Sequence, residues 1–463
     1  MKNYKTLIVI LLITLCFAAG YTVRTNAREK ATVRRVSVSP VRAPGVPVAT
    51  TQLCSAGDID LGPLEIMLTV LRNVREHFVD PITPSDEGRM AREALRAMLA
   101  SFQDPNTRFL DPEQLKLVRE AAEGRFHGIG AILGMKKVKT GNIQEEHLVV
   151  ITPIDSGPAA KAGLKSGDHI IAIDGRDVLP LDPFQRANEV IKEERKKAVD
   201  RNLLKKHIES ETKRIEEGIP ILKAERMLTS EDDKEFELTV LRDGATKPIK
   251  VKVKTQDFTV EPVSWTLVND GRFGYIRISC FSNSTPQQFE TAVKELKSKE
   301  VEGLVLDLRD VAAGDLETVL SVARLSVPER VFGFECKSRN RKIPIRIERC
   351  SDERVWKGSL VVLVNAGTAR MAEALAVALR DNLSAKLVGE STYGDPSVVT
   401  LMELSDGSGV SITTGQMAPP KSSDYRGKGL APDVSASSSE QMKEAIKILE
   451  SLAKRSVSTL SRN

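Results

Sequence analysis

Cysteine is scarce. The 463 residues hold five, none in a C-x-x-C pair, which excludes a disulfide-built scaffold and a thiolate metal site. Histidine is as rare, also five, and none follows His207. The C-terminal half therefore cannot assemble a Ser-His-Asp triad alone, and with no paired histidine spacing neither metal nor cofactor is expected. Excess charge of one sign is missing too. A net +5 spread along the chain gives no basic patch, so nucleic acid is not an expected partner. No apolar run reaches the length of an ordinary membrane span.

The apolar fraction of 41% and charged fraction of 28% suit a soluble body of two or three domains. At the N-terminus Lys2 and Lys5 precede an apolar run from Leu7 to Tyr21. That is the pattern of an export signal, cleaved near Ala18-Ala19-Gly20 or Thr25-Asn26-Ala27, or kept as a signal anchor. Residues 1–25 are assigned to it, and 26–58, rich in Arg, Pro, Val, Ser and Thr, to a linker. The body is expected outside the cytoplasm, in the periplasm or an equivalent space, with membrane contact only through this segment. Cys336 and Cys350 bracket KSRNRKIPIRIER; they form either one bridge across paired strands or two separate thiols.

The organising stretch is VVLVNAGTARMAEALAVALRD, Val361 to Asp381. A buried strand, Leu360 to Val364, meets a turn at Asn365-Ala366-Gly367-Thr368 and then an Ala/Leu-rich helix. Such a strand–turn–helix presents a nucleophile at a helix N-terminus, where backbone N–H groups favour developing negative charge. The residue at the head of this helix is Arg370, whose guanidinium stays protonated and cannot attack anything.

Together with VGESTYGDPSVV, this stretch resembles the catalytic segment of the carboxyl-terminal processing peptidases, also called tail-specific proteases. The family turn reads roughly N-x-G-S/T-A-S-A-S-E, with the first serine after the alanine as nucleophile. A lysine in a following T-x-G-K-G-x-x-Q stretch is the base, and the glutamine orients it. The resemblance places the nucleophile position on Arg370, the base on Asp395 and the orienting residue on Val399, while Asn365, Gly367, Thr368, Ala369, Glu373, Thr392 and Gly394 match. Spacing also allows an Arg370–Asp395 ion pair where the Ser–Lys dyad would stand. The family's oxyanion motif D-L-R-x-N-P-G-G is here Asp307-Leu308-Arg309-Asp310-Val311-Ala312-Ala313-Gly314. Ala313, Gly314 and the backbone of Met371 are its remnant. Thr368 or a nearby serine is the substitute nucleophile to weigh, and a threonine in a tight turn more often bonds its own backbone.

The rest of the chain follows the same plan: α+β, multidomain. Residues 59–123 carry helical periodicity, with Phe102 to Leu110 resembling the family's L-D-P-H-S-x-Y-L and Asn106 standing where histidine is usual. Residues 124–258 resemble a PDZ domain. Phe126-His127-Gly128-Ile129-Gly130 is its carboxylate loop, whose successive N–H groups would take a peptide C-terminus. A helical insertion at 183–233 reads as a protruding hairpin or as a partner-binding arm. Residues 259–435 form an α/β tail-specific-protease core, and 436–463 a last helix and tail. These readings imply an exported pseudopeptidase that binds protein C-termini or partners, among them an active relative. The alternative is a serine-type endopeptidase with a relocated nucleophile.

Overall fold

The computed structural model describes residues 62–140, 143–184, 188, 201–312, 314–325, 331–338, 341–346, 356–418 and 424–460. The expected signal and linker, part of the helical insertion, Ala313 and Cys350 lie outside them. So does the Cys336 side chain. Among the described residues no helix is long and apolar enough to cross a membrane.

The chain divides into two units, 1–82 and 83–463. In the first, α1 (Gly62–His77) has no buried residue, and Leu64, Met67 and Leu68 on its apolar stripe are exposed.

In the second, α2 (Pro84–Ala100) and α3 (Pro112–Ala122) both start at reciprocal capping boxes, Thr83 with Asp86 and Asp111 with Gln114, each followed by proline at the first turn. The stretch between them lies inside the region 59–123 assigned to helices, with its X-Pro turns read as a break. It forms a strand instead, β1 (Arg108–Leu110), antiparallel to a strand of the core, with Arg108 opposite Ser411.

The next part is a small β domain. After β2 (Arg125–Phe126) come β3 (Ala131–Thr140), β4 (Ile143–Pro153), α4 (Pro158–Lys161), β5 (His169–Ile173) and β6 (Arg176–Leu179). Then follow α5 (Arg201–Glu217), β7 (Ile219–Pro220), α6 (Ile221–Thr229), β8 (Glu235–Leu241) and β9 (Ile249–Lys254). β3 stands at the end of the strand order, so its outer edge is unpaired among the described residues. The last part of the insertion expected over 183–233 packs into this domain. Ile221, Ala224 and Leu228 of α6 are buried in this domain's own core, because their spacing puts all three on one helix face.

The core domain opens with β10 (Phe258–Thr259), β11 (Val263–Val268), β12 (Phe273–Ile278), α7 (Thr285–Ser298), β13 (Gly303–Asp307), α8 (Leu316–Arg324), β14 (Val331–Ser338) and β15 (Arg341–Arg346). It closes with β16 (Ser359–Val364), α9 (Met371–Leu383), β17 (Lys386–Gly389), β18 (Ser397–Glu403), β19 (Gly409–Ala418), β20 (Val434–Ser435) and α10 (Gln441–Leu460). One sheet runs β11-β12-β13-β16-β17-β20, parallel from β12 onward. Helices α7, α8 and α9 cover one face and α10 the other. α9 is buried without a break from Met371 to Leu379, as an Ala- and Leu-rich helix without a polar stripe must be. That burial fixes the direction of its first turn.

Candidate active site

The carboxyl ends of β13, β16 and β17 open side by side, where parallel α/β sheets place their ligands. Three turns meet there, and side chain-to-backbone bonds hold them. Asn365 accepts from the Asp310 and Gly367 amides at 2.9 and 3.1 Å and donates to Asp310 Oδ1 at 3.0 Å. The fully buried Thr368 hydroxyl donates to the Leu308 carbonyl at 2.8 Å and accepts from the Asn365 amide at 3.0 Å. The hydroxyl is thus committed to backbone on both sides, the ordinary role of a turn threonine. Ser166 of the β domain donates to Asp310 Oδ1 at 3.0 Å, so that domain reaches the edge of the site.

Arg370 heads α9 with φ 55° and ψ −119°, a conformation that costs a non-glycine residue about 1–3 kcal/mol. The strained elbow of a hydrolase persists under a residue that cannot use it. Arg370 Nε lies 3.3 Å from Asp395 Oδ2, and Nη2 donates to Asn106 Oδ1 at 3.0 Å. Asn106 Nδ2 faces the same Asp395 oxygen at 3.5 Å. These three side chains fill the position expected for a nucleophile and its base.

Asn106 is the member that the sequence reading left among packing residues. The structure brings it in because β1 pairs with β19, while the Ser411 hydroxyl donates to the Asn106 carbonyl at 2.8 Å. Its signal in the sequence was the departure from histidine within Phe102 to Leu110.

Glu373, fully buried in the first turn of α9, ties the turns together. Its carboxyl accepts from the amides of Arg370 at 2.9 Å, Gly394 at 2.7 Å and Asp395 at 3.0 Å, and from the Thr392 hydroxyl. Burial nevertheless outweighs these donors and pushes the carboxyl up to about 7, because desolvation acts against the charged form.

The other site positions are dispersed. Val399 lies on β18, 38% exposed, and its side chain has no hydrogen-bonding group. Gly314 has φ +133°, and a Cβ there would strike Phe281, so glycine is required at this one remnant of the motif. Met371 contributes a first-turn amide without an intrahelical acceptor and a side chain buried in the core.

The loop assigned to a peptide carboxylate is packed into the protein. Phe126, Gly128, Ile129 and Gly130 are buried; Phe126 stacks on Phe258 at 5.8 Å, and the Ile129 amide donates to the Leu228 carbonyl at 2.8 Å. His127 lies between two carboxylates, Glu120 and Asp257. A run of open N–H groups is therefore reduced at Ile129, because α6 ends against the loop. What stays open among the described residues is the outer edge of β3. Beside it is a cavity of about 250 Å³ lined by Met135 and Lys137 of β3, Leu222 and Arg226 of α6, and Arg108 and Phe109 of β1.

Two family descriptions match the sequence: Peptidase family S41 over residues 272–448 and PDZ domain over 130–205. The carboxyl-terminal-processing protease of Synechocystis sp. is 30% identical over 344 residues, spanning 73% of this chain and 69% of that protein. The chloroplastic C-terminal processing peptidase of Tetradesmus obliquus is 28% identical over 364 residues, 76% of this chain and 69% of that one. Among solved structures, a photosystem II D1 C-terminal processing protease superposes with a TM-score of 0.58 at 27% identity, covering 81% of this chain and 93% of the other. A shared strand–turn–helix, a PDZ domain and an α/β core matched along most of both chains leave one conclusion: this chain belongs to the carboxyl-terminal processing proteases of peptidase family S41.

Proposed function

We propose that this member of the family is an exported pseudopeptidase that binds extended peptides or protein C-termini and cuts none. The carrying observation is the side chain at the head of α9. Arg370 holds the nucleophile's position, and its contacts to Asp395 and Asn106 satisfy it there. Acyl transfer needs an attacking atom with a base within hydrogen-bond reach. A guanidinium offers no such atom and a facing carboxylate no lysine base. The Thr368 hydroxyl, committed to backbone, is a poor replacement.

Binding would run through the PDZ domain by addition of a peptide strand to the free edge of β3, with main-chain hydrogen bonds giving affinity. The N-terminal signal directs the body out of the cytoplasm. A fold kept intact around a silent site suits a regulatory partner of an active relative.

The test is incubation of the purified full chain with an unstructured protein, alongside fluorescence anisotropy with a labelled peptide in free-acid and amidated forms. The expected result is no cleavage, with the free-acid peptide bound more tightly. Cleavage by the native chain that disappears in Thr368→Ala would refute the proposal and place the nucleophile two residues earlier in the same turn.

A further inference from the structure

At the PDZ glycine loop, three segments distant in sequence bring metal-binding groups together. The ligand atoms of Glu120 on α3, His127 in the glycine loop and Glu231 after α6 all lie within 4.8 Å of one another. Asp257 Oδ1 sits 2.6 Å from His127 Nδ1. With Nδ1–H donated to that carboxylate, the nitrogen left for a ligand is Nε2, and it faces Glu120 Oε2 at 2.7 Å. A ring lone pair and a carboxylate oxygen repel at that distance unless a cation lies between them. The cation is either a proton or a metal ion.

We propose that Glu120, His127 and Glu231 form a site for a divalent transition metal of the zinc class. One imidazole nitrogen and two carboxylate oxygens are a donor set that zinc accepts, leaving a fourth position for water. Asp257 supplies the carboxylate–histidine arrangement that fixes the tautomer and orients the ring. Zinc–ligand bonds of about 2.0–2.2 Å require the three atoms to draw closer. Glu231, on a loop and 35% exposed, is free to make that movement once it releases Lys116, whose ammonium now sits 2.6 Å from it. Lys116 is thus the competitor that a metal displaces. A bound ion would pin α3, the loop before β3 and the end of α6 to one another, stiffening one end of the peptide groove.

The test is calorimetric titration of the chelator-treated full chain with Zn²⁺, repeated with Co²⁺ to read the coordination by its visible bands. One equivalent is expected to bind, with affinity falling at least about tenfold in His127→Gln and in Glu231→Gln, and by roughly 10–100-fold in Asp257→Asn. Lys116→Met is expected to bind more tightly than the native chain. His147→Gln should change nothing; it probes the other close pair, His147 and His169, whose Nδ1 atoms are 3.1 Å apart. Absence of uptake, or uptake lost in His147→Gln and kept in His127→Gln, would overturn the proposal and leave the Glu120–His127 contact bridged by a proton.

Discussion

Glu373→Gln separates charge from hydrogen bonding at the centre of the candidate site. Four donors converge on the native carboxyl, two on each oxygen. Glutamine keeps one acceptor oxygen and turns an NH₂ toward the other pair of donors. Two buried donors then lose their partner, at about 1–3 kcal/mol each. At pH 4.5 the native carboxyl carries its own proton, which already displaces one of the four contacts, so the variant should be less stable there by about 1–3 kcal/mol.

The gap should shrink as pH rises. Between 4.5, where an unperturbed carboxyl ionises, and about 7, the folded state holds a proton that the unfolded state has released, so native stability falls through that window. At about 1.4 kcal/mol per pH unit this removes about 3 kcal/mol from the native chain. The glutamine variant, with no proton to lose there, is spared. Other titrating groups are common to both chains and cancel. Urea unfolding followed by tryptophan fluorescence reads the right domain, since the chain's two tryptophans, Trp265 and Trp356, both lie in the core domain. A gap that stayed constant or widened from pH 4.5 to 8 would refute the reasoning. It would mean that the four donors outweigh burial and keep Glu373 ionised.

Two further outcomes follow from contacts nearby. Thr368→Val keeps the shape but leaves the Leu308 carbonyl and the Asn365 amide without partners; it should cost about 2–4 kcal/mol in the same urea assay, and Thr368→Ser much less, equal losses counting against the hydroxyl as a staple. Gly128→Ala places a Cβ on the Leu228 carbonyl and 2.6 Å from Thr229 Cα, at φ +87°; displacement of α6 should lower peptide affinity in the anisotropy assay, and unchanged binding would show that the groove does not depend on how α6 ends.

Several features of this protein are local and were therefore legible in its sequence. The apolar run of β16 followed by the Ala- and Leu-rich α9 needed only hydrophobic pattern to announce a buried strand and a buried helix. Arg370 ruled itself out as a nucleophile by its chemistry alone. The glycines at 128 and 130, and the turn at 365–368, likewise declared sharp backbone through residue type. Other features were set by pairings between distant segments, which no local pattern encodes. Asn106 reached Arg370 only because β1 joined the separate sheet of β14, β15, β18 and β19 by pairing with β19, across some three hundred residues. The stretch read as a protruding hairpin or a partner-binding arm divided because α6 found a hydrophobic core on the β domain. His127, read as part of a carboxylate loop, met Glu120 and Asp257 through the closing of that loop against α3, although no histidine pair marked it as a ligand. Backbone preference and the period of apolar residues are properties of neighbours in the chain and belong to the sequence. Which charged side chains share a desolvated space is decided by packing, and only the tertiary structure fixes it.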